Sequence, residues 1–137
     1  CCRDGPEVIG IDTNVLVRFL VQDDKAQGAA AVAAFRELTA SDPGYLTTVV
    51  LVETYWVLTR AYKKTVVDVL ATLTELLSIE ELRFQDDAHV RVAVERARSG
   101  ADFADALVAA ACWERGCATV LSFDRRAQEA LGFRAPA

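Results

Sequence analysis

The fold is decided by the stretch Val8-Ile9-Gly10-Ile11-Asp12, in which a short apolar run stops at an acidic residue. Such a run is typical of a strand that is buried on both faces of a parallel sheet. Thr13 and Asn14 come next and have side chains suited to capping a helix, which is predicted over residues 15–20. Asp12 therefore stands where a strand ends and a helix begins.

Strands and helices alternate along the rest of the chain. Short strands are predicted at residues 45–46, 82–84 and 118–121, and the segments between them have helical periodicity. This alternation predicts an α/β fold with helices on both faces of a parallel sheet, where ligands bind beyond the carboxyl ends of the strands. We expect one domain over residues 8–137, preceded by an N-terminal extension of residues 1–7.

The composition is that of a folded, water-soluble domain. The 137 residues are 53% hydrophobic and 26% charged. The longest apolar run, residues 106–113, is far shorter than the roughly 20 residues that cross a bilayer, and residues 1–7 lack the apolar core of a secretory signal. We therefore expect a cytoplasmic protein without membrane contact. The net charge of −5 argues against general nucleic-acid coating but allows a local basic patch.

The histidine and the internal cysteines give no sign of a catalytic or metal-binding site. His89 is the single histidine and is expected at the surface, which excludes two-histidine ribonucleases and multi-histidine metal sites. Cys112 and Cys117 fit no zinc-ligand spacing. Both are expected to be small core residues in a reducing compartment.

Glu53 stands in an unusual place for an acid. Its helical neighbours one turn away on either side are all apolar: Val49, Val50, Trp56 and Val57. The carboxylate is therefore expected to be at least partly buried, where it needs a compensating charge. Two kinds of partner are open at this point, namely a metal ion or an arginine such as Arg60 or Arg18.

Three more acids lie at positions that suit either a helix cap or a ligand. Asp102 and Asp105 are spaced i, i+3, so they face one side of a helix whose alanine neighbours leave space around them. Asp124 follows the predicted strand 118–121, as Asp12 follows the first strand. A role as a turn or capping residue would explain Asp12, Asp102 or Asp124 taken singly, but not Asp105.

Taken together, these acids predict a metal site. Four elements each contribute one acid, namely Asp12, Glu53, either Asp102 or Asp105, and Asp124, and all are expected near one rim of the sheet. Four gathered carboxylates repel one another unless divalent cations or shared protons compensate. Oxygen donors without histidine or cysteine favour Mg²⁺ or Mn²⁺. Because such ions bind phosphate oxygens and activate water, hydrolysis of a phosphodiester is the expected chemistry.

At these residues the chain resembles the PIN-domain family, and within it the VapC-type toxins of bacterial toxin–antitoxin pairs. The resemblance covers the chain from residue 8 to about residue 135 and rests on four motifs in order: Ile9-Gly10-Ile11-Asp12-Thr13-Asn14, Val52-Glu53, Ala101-Asp102-Phe103-Ala104-Asp105, and Ser122-Phe123-Asp124. The fourth motif is often Thr-x-Asp in the family, and Ser122 keeps that hydroxyl.

The resemblance implies a three-layer α/β/α sandwich with a central parallel five-stranded sheet. It implies a Mg²⁺- or Mn²⁺-dependent endoribonuclease, a homodimer, and a cognate antitoxin of the VapB type whose carboxyl-terminal segment wraps the toxin. The net acidity of this chain suits a basic partner segment. Val32 and Phe35, apolar residues on an alanine-rich helix, also favour a dimer.

Each acid then has an expected role. Asp12 and Asp105 ligate the main metal ion in this hypothesis. Glu53 and Asp124 complete its coordination directly or through water, whereas Asp102 serves a second ion or the water network. Asn14 and Ser122 orient these carboxylates. Contacts to phosphate are expected from basic side chains for which a merely solvated position is an equal alternative: Arg18, Lys63, Lys64, Arg125 and Arg126.

Two other classes of function are open. A phosphatase or phosphotransferase of the haloacid-dehalogenase type also has an acid after its first strand, but it needs a second acid two residues later, where this chain has Asn14. A catalytically silent binding module on the PIN scaffold would be expected to have lost one or more acids, and none is missing. The endoribonuclease interpretation is therefore favoured.

Overall fold

The computed structural model describes residues 6–137, so residues 1–5 of the predicted N-terminal extension lie outside the described residues. Two units divide the chain, the first ending at Gln85 and the second comprising Asp86–Ala137. One domain over residues 8–137 stays a prediction. The last residue of the extension, Glu7, is held by its backbone N–H, which donates to Asp42 Oδ1 at 2.7 Å.

The first unit alternates strands and helices as predicted. In chain order it contains β1 (Ile9–Gly10), α1 (Thr13–Leu20), α2 (Lys25–Arg36), β2 (Gly44–Leu46), α3 (Thr48–Trp56), α4 (Val66–Leu77) and β3 (Leu82–Phe84). A π-helical turn, Val57–Ala61, continues α3 directly. The predicted strands at residues 45–46 and 82–84 are thereby confirmed.

The three strands form one parallel sheet in the order β1, β2, β3. Ile9 pairs with Gly44, and Gly44 in turn pairs with Leu82. A Cβ at Gly44 would lie 2.6 Å from Ile11 Cδ1, so any other residue at this position in β2 would have to displace the end of that side chain. Leu46 of β2 and Leu16 of α1 are fully buried in the core of this unit.

The second unit is mainly helical. It contains α5 (Asp87–Arg98), α6 (Phe103–Glu114) and α7 (Arg125–Leu131). Phe103, Ala106 and Ala109 form the fully buried face of α6. The alanines allow close packing around that face, since they add little volume.

Short polar side chains begin most of the helices. The side chain before each of six helices accepts a hydrogen bond from a backbone N–H in the first turn: Asp12, Asp24, Thr47, Thr65, Asp102 and Asp124. These bonds satisfy N–H groups that have no partner within the helix. The capping role predicted for Asp124 is confirmed, and Asp12 caps α1 in place of Thr13 or Asn14.

The predicted five-stranded sheet is wrong, since the sheet within residues 6–137 has three strands. Residues 118–121 do not form a strand; only Leu121 takes part in a parallel bridge, with Arg134. Two backbone hydrogen bonds flank this bridge: the Ser122 N–H donates to Arg134 O, and the Arg134 N–H donates to Val120 O. An apolar run becomes a strand only where a neighbour pairs with it over several residues. The α/β class is confirmed, and the three-layer sandwich stays a prediction.

The first strand differs from its prediction in burial. Val8 is 56% and Ile9 45% exposed, although a strand buried on both faces was expected. In the three-stranded sheet β1 pairs on one side only, with β2. A two-residue strand in that position has few neighbours to cover its side chains.

His89, Val32 and Phe35 are each partly buried. His89 is not fully exposed, because its imidazole Nε2 lies 3.0 Å from Glu114 Oε2 and its side chain is 19% exposed. Val32 and Phe35 are half-buried, and Phe35 stacks on Phe19 with ring centroids 3.9 Å apart. Among residues 6–137, the helices include none with the length and apolarity that crossing a membrane requires.

Candidate active site

Asp12 lies between β1 and α1, where the sequence places it. Its carboxylate Oδ1 accepts a hydrogen bond from the backbone N–H of Thr13 at 2.8 Å. The residue is exposed and lines a cleft together with Thr13, Asn14 and Glu53. Capping the helix therefore leaves Asp12 able to bind a ligand.

Glu53 lies on α3 and is joined to the first acid through a threonine. Thr13 Oγ1 donates a hydrogen bond to Glu53 Oε1 at 2.8 Å, across 40 residues of sequence. Thr13 thus contacts Asp12 with its backbone N–H and Glu53 with its hydroxyl. The two acids of the first unit are held at one cleft by the same residue.

The predicted burial of Glu53 is wrong, because the side chain is exposed. The core face of α3 carries Val50, Leu51, Thr54 and Tyr55, whereas Val49 is 65% and Trp56 39% exposed. The apolar neighbours of Glu53 in sequence thus lie partly on the solvent side. Hydropathy alone does not distinguish an apolar surface from an apolar core.

An arginine partner for Glu53 is not present among residues 6–137. The guanidinium of Arg60 lies over the Trp56 ring, 5.1 Å from its centroid. Arg18 donates to Asp23 Oδ1 at 3.0 Å, and its Nε donates to Gln27. The alternative that Glu53 pairs with either arginine is therefore contradicted.

Arg18 belongs to a hydrogen-bonded group beside the cleft. The Tyr62 hydroxyl donates to Asp23 Oδ2 at 2.7 Å, and the guanidinium of Arg18 donates to the Tyr62 oxygen at 3.1 Å. The Tyr62 hydroxyl, and then the charge of Arg18, hold the pKa of Asp23 below its ordinary value. Arg18 thus has local partners, and its predicted contact to phosphate stays a prediction, as do those of the exposed Lys63 and Lys64.

In the second unit, Asp102 and Asp105 occupy the start of α6. The carboxylate of Asp102 caps the helix by accepting from the backbone N–H of Asp105 at 3.0 Å. Asp105 lies one turn further on and is half-buried. Asp102 precedes the helix with an extended backbone, so its position next to Asp105 comes from this cap and not from helical i, i+3 spacing. That the two carboxyl groups face one side of the helix stays a prediction.

Asp124 begins α7 and is held by hydrogen bonds on both sides. Its Oδ1 accepts from the backbone N–H groups of Arg126 at 2.8 Å and Ala127 at 3.3 Å. Ser122 Oγ accepts from the backbone N–H of Asp124 at 3.0 Å. Ser122 therefore contacts the backbone of Asp124, and it influences the position of the carboxylate only through that backbone.

The carboxylates of the second unit interact electrostatically. Burial, followed by the negative charges of Asp102 and Asp124, raises the pKa of Asp105, and the positive charge of Arg126 opposes that rise. Arg126 is itself anchored, since its Nε donates to the Gly100 carbonyl at 2.9 Å. Asp105 is thus an acid at which negative charge is unfavourable without a further cation.

The candidate acids offer the kind of ligand atom that a hard divalent cation binds. They are carboxylate oxygens, and the raised pKa of Asp105 is the response expected where a cation would relieve repulsion. Among residues 6–137, no three acidic, histidine or cysteine side chains are close enough to form a ready metal-binding group.

The raised pKa of Asp105 predicts a pH-dependent difference between the parent chain and Asp105→Asn. A raised folded-state pKa gives stability that is present below the unfolded pKa and lost as pH rises through the folded value. In EDTA, we expect Asp105→Asn to be more stable than the parent at neutral pH, with the advantage vanishing below the ordinary carboxyl range. Urea unfolding of both chains across pH measures this, and an advantage that grows as pH falls would contradict it.

The sequence alone did not reveal Thr13 as a positioning residue. Asn14, the predicted one, is exposed at the rim of the cleft, but Thr13 makes the bond to Glu53. A hydroxyl directly after Asp12 was the only available signal, and it gave no indication of a partner 40 residues away.

Comparison with known proteins supports the family resemblance. The family model described as the PIN domain matches residues 9–133, which is nearly the whole chain. No curated protein gives a significant match. The matched range includes all five candidate acids.

Proposed function

Because this chain belongs to the PIN-domain family, whose members are generally metal-dependent nucleases, we propose that it is a metal-dependent endoribonuclease. The observation that carries this proposal is Asp105, whose pKa is raised by burial and by the charges of Asp102 and Asp124. A carboxyl group whose pKa is raised by burial and by neighbouring carboxylates is expected where a divalent cation binds.

In this proposal Asp12, Glu53, Asp105 and Asp124 hold the same Mg²⁺ or Mn²⁺ ion, and Asp102 serves a second ion or the surrounding water. An ion held by these oxygens supplies stabilisation of the charge that develops on the phosphate during in-line displacement. The mutual placement of the acids from the two units is part of the proposal. The chain's own residues contribute orientation and phosphate binding.

Orientation comes from the hydrogen bonds around the acids. Thr13 donates to Glu53 and fixes one of its oxygens, leaving the other for a ligand. The backbone N–H groups of Arg126 and Ala127 bind one oxygen of Asp124 in the same way. Each carboxylate is then pre-positioned, so that less conformational freedom is lost when the ion binds.

Substrate contacts are expected beside Asp124. The Arg125 side chain is exposed next to it and suits a phosphate. Phe123, on the other side, is 86% exposed and offers a ring face on which an unpaired base could stack. We therefore propose single-stranded regions of RNA as the preferred substrate, since their bases are free to stack.

A toxin of the VapC type, inhibited by a VapB-type antitoxin, is the biological role that we propose for this nuclease. The net charge of −5 supports a basic inhibitory segment as its partner. A homodimer and a cytoplasmic location belong to the same proposal. The half-buried state of Val32 and Phe35 leaves less apolar surface for a dimer than their sequence pattern suggests.

The test is an incubation of the chain with structured RNA, single-stranded RNA, single-stranded DNA and a phosphate monoester, each with Mg²⁺, Mn²⁺ or EDTA. We expect RNA to be cut internally with either metal and to stay intact in EDTA. Hydrolysis of the monoester alone would favour a phosphatase. RNA binding without cleavage under every metal condition would favour a silent binding module.

Replacing Thr13 by valine tests its positioning role. Valine keeps the shape but lacks the hydroxyl that binds Glu53, so the rate of RNA cleavage should fall by about 10- to 100-fold. The conservative variant Thr13→Ser should restore most of the rate, because it can still donate to Glu53. Equal rates for parent and Thr13→Val would show that this hydrogen bond has no functional role; circular dichroism checks that each variant is folded.

A further inference from the structure

Two cysteines lie at the carboxyl end of α6. Cys112 is half-buried in the last turn, and Cys117 is exposed just beyond the helix. The prediction that both are core residues is therefore wrong. The buried face of α6 ends with Ala109, and Cys117 follows the residue that terminates the helix.

The backbone between the two cysteines forms a Schellman motif. Gly116 has a φ of +81°, in the left-handed region that favours glycine. Its N–H donates to Trp113 O at 3.0 Å, and the N–H of Cys117 donates to Cys112 O, also at 3.0 Å. This pair of bonds defines the motif and turns the chain back over the last helical turn.

A Schellman motif brings together the side chains of the two residues that its outer hydrogen bond joins. The contact is usually apolar, but here both residues are cysteines. Burial, and then the neighbouring Cys117 thiol, raises the pKa of the Cys112 thiol. The 3.0 Å hydrogen bond from the Cys117 N–H to Cys112 O brings the backbones of the two cysteines close together, as a disulfide between them requires.

We propose that Cys112 and Cys117 are a thiol-oxidation site that closes to an intramolecular disulfide when the chain meets a small-molecule disulfide such as oxidised glutathione. The site lies outside the proposed nuclease centre and does not depend on it. The folded helix end holds the thiols together before reaction, so closing the ring costs little further conformational entropy.

The reaction proceeds by two thiol–disulfide exchanges. Cys117, the exposed thiol, loses its proton and attacks one sulfur of oxidised glutathione, which releases one reduced glutathione and leaves a mixed disulfide. The thiolate of Cys112 then attacks Cys117 Sγ and releases the second glutathione. Two protons leave the cysteines, and their two electrons reduce one oxidised glutathione to two thiols.

The sequence provides a direct readout of this pairing. Trypsin cleaves after Arg98, Arg115 and Arg125, so Cys112 and Cys117 fall in separate peptides, residues 99–115 and 116–125. A disulfide between them joins the peptides, and mass spectrometry distinguishes that pair from any disulfide that involves Cys1 or Cys2. Reduction before digestion separates the two peptides again.

The experiment equilibrates the folded chain in mixtures of oxidised and reduced glutathione, quenches with acid, alkylates and digests. We expect the linked pair to form at an oxidised-to-reduced ratio at least about tenfold lower in the folded chain than in urea, since only the fold aligns the thiols. The same ratio in both conditions, or predominant pairing of Cys112 with Cys1 or Cys2, would overturn the proposal.

Two variants separate geometry from proximity in sequence. Cys117→Ser should abolish the linked pair. Gly116→Ala keeps both thiols but strains the left-handed residue, so the required ratio should move toward the value in urea. A Gly116→Ala chain that remains folded by circular dichroism yet forms the pair as readily as the parent would show that the Schellman motif is not the cause.

Discussion

Asp105→Asn is expected to lower the rate of metal-dependent RNA cleavage by more than about 100-fold. This loss is larger than the one expected when a residue that only supports a metal ligand is replaced. Asparagine has nearly the same shape, but it lacks the negative charge that we propose binds the cation. The half-buried Asp105 carries a pKa raised by burial and by Asp102 and Asp124. Removing the charge should therefore raise the free energy of unfolding at neutral pH in EDTA.

The matched control is Glu129→Gln on α7, which removes one exposed carboxylate from the same unit. It should cleave RNA as fast as the parent. Initial rates at saturating Mg²⁺, together with urea unfolding in EDTA, distinguish a lost ligand from a lost fold. A stable Asp105→Asn chain with the parent's rate would refute the role of this acid.

Asp12→Asn is expected to lower the rate of Mg²⁺-dependent RNA cleavage by a factor similar to that for Asp105→Asn. Asparagine caps helices as well as aspartate does, so the hydrogen bond from the backbone N–H of Thr13 and the stability of α1 should persist. The loss would then report the missing charge at the cleft and not a disrupted helix. Helical content by circular dichroism should match that of the parent.

The double variant Asp12→Asn/Asp105→Asn tests whether acids of the two units act on one ion. Groups that function as a unit are strongly non-additive, so the double variant should be about as slow as either single one. Losses that multiply would instead indicate two independent contributions. Asp12→Asn combined with Glu129→Gln provides the additive reference.

Much of the chain's local structure follows from short stretches of sequence. The helix after Asp124 begins where the sequence predicts, because its capping bonds join residues only two or three positions apart. The bond by which Asp102 caps α6 is equally local, since it joins residues three positions apart. The family resemblance rests on the same local motifs.

Long-range features were predicted less well. Glu53 looked buried because its neighbours are apolar, yet Val49 and Trp56 on either side are themselves exposed. Residues 118–121 looked like a strand, but pairing is confined to the bridge between Leu121 and Arg134. Burial and strand pairing both depend on what another segment covers, which the local pattern does not contain.

The sequence by itself determined the order of strands and helices as far as β3, the cap at Asp124 and which acids are candidates, since each depends on neighbours within about one helical turn. Only the tertiary structure decided that Thr13 binds Glu53, that Arg18 binds Asp23 and Tyr62, and that the sheet has three strands. These contacts join segments far apart in the chain, and their geometry is set by packing of the whole unit, which no single stretch of residues specifies.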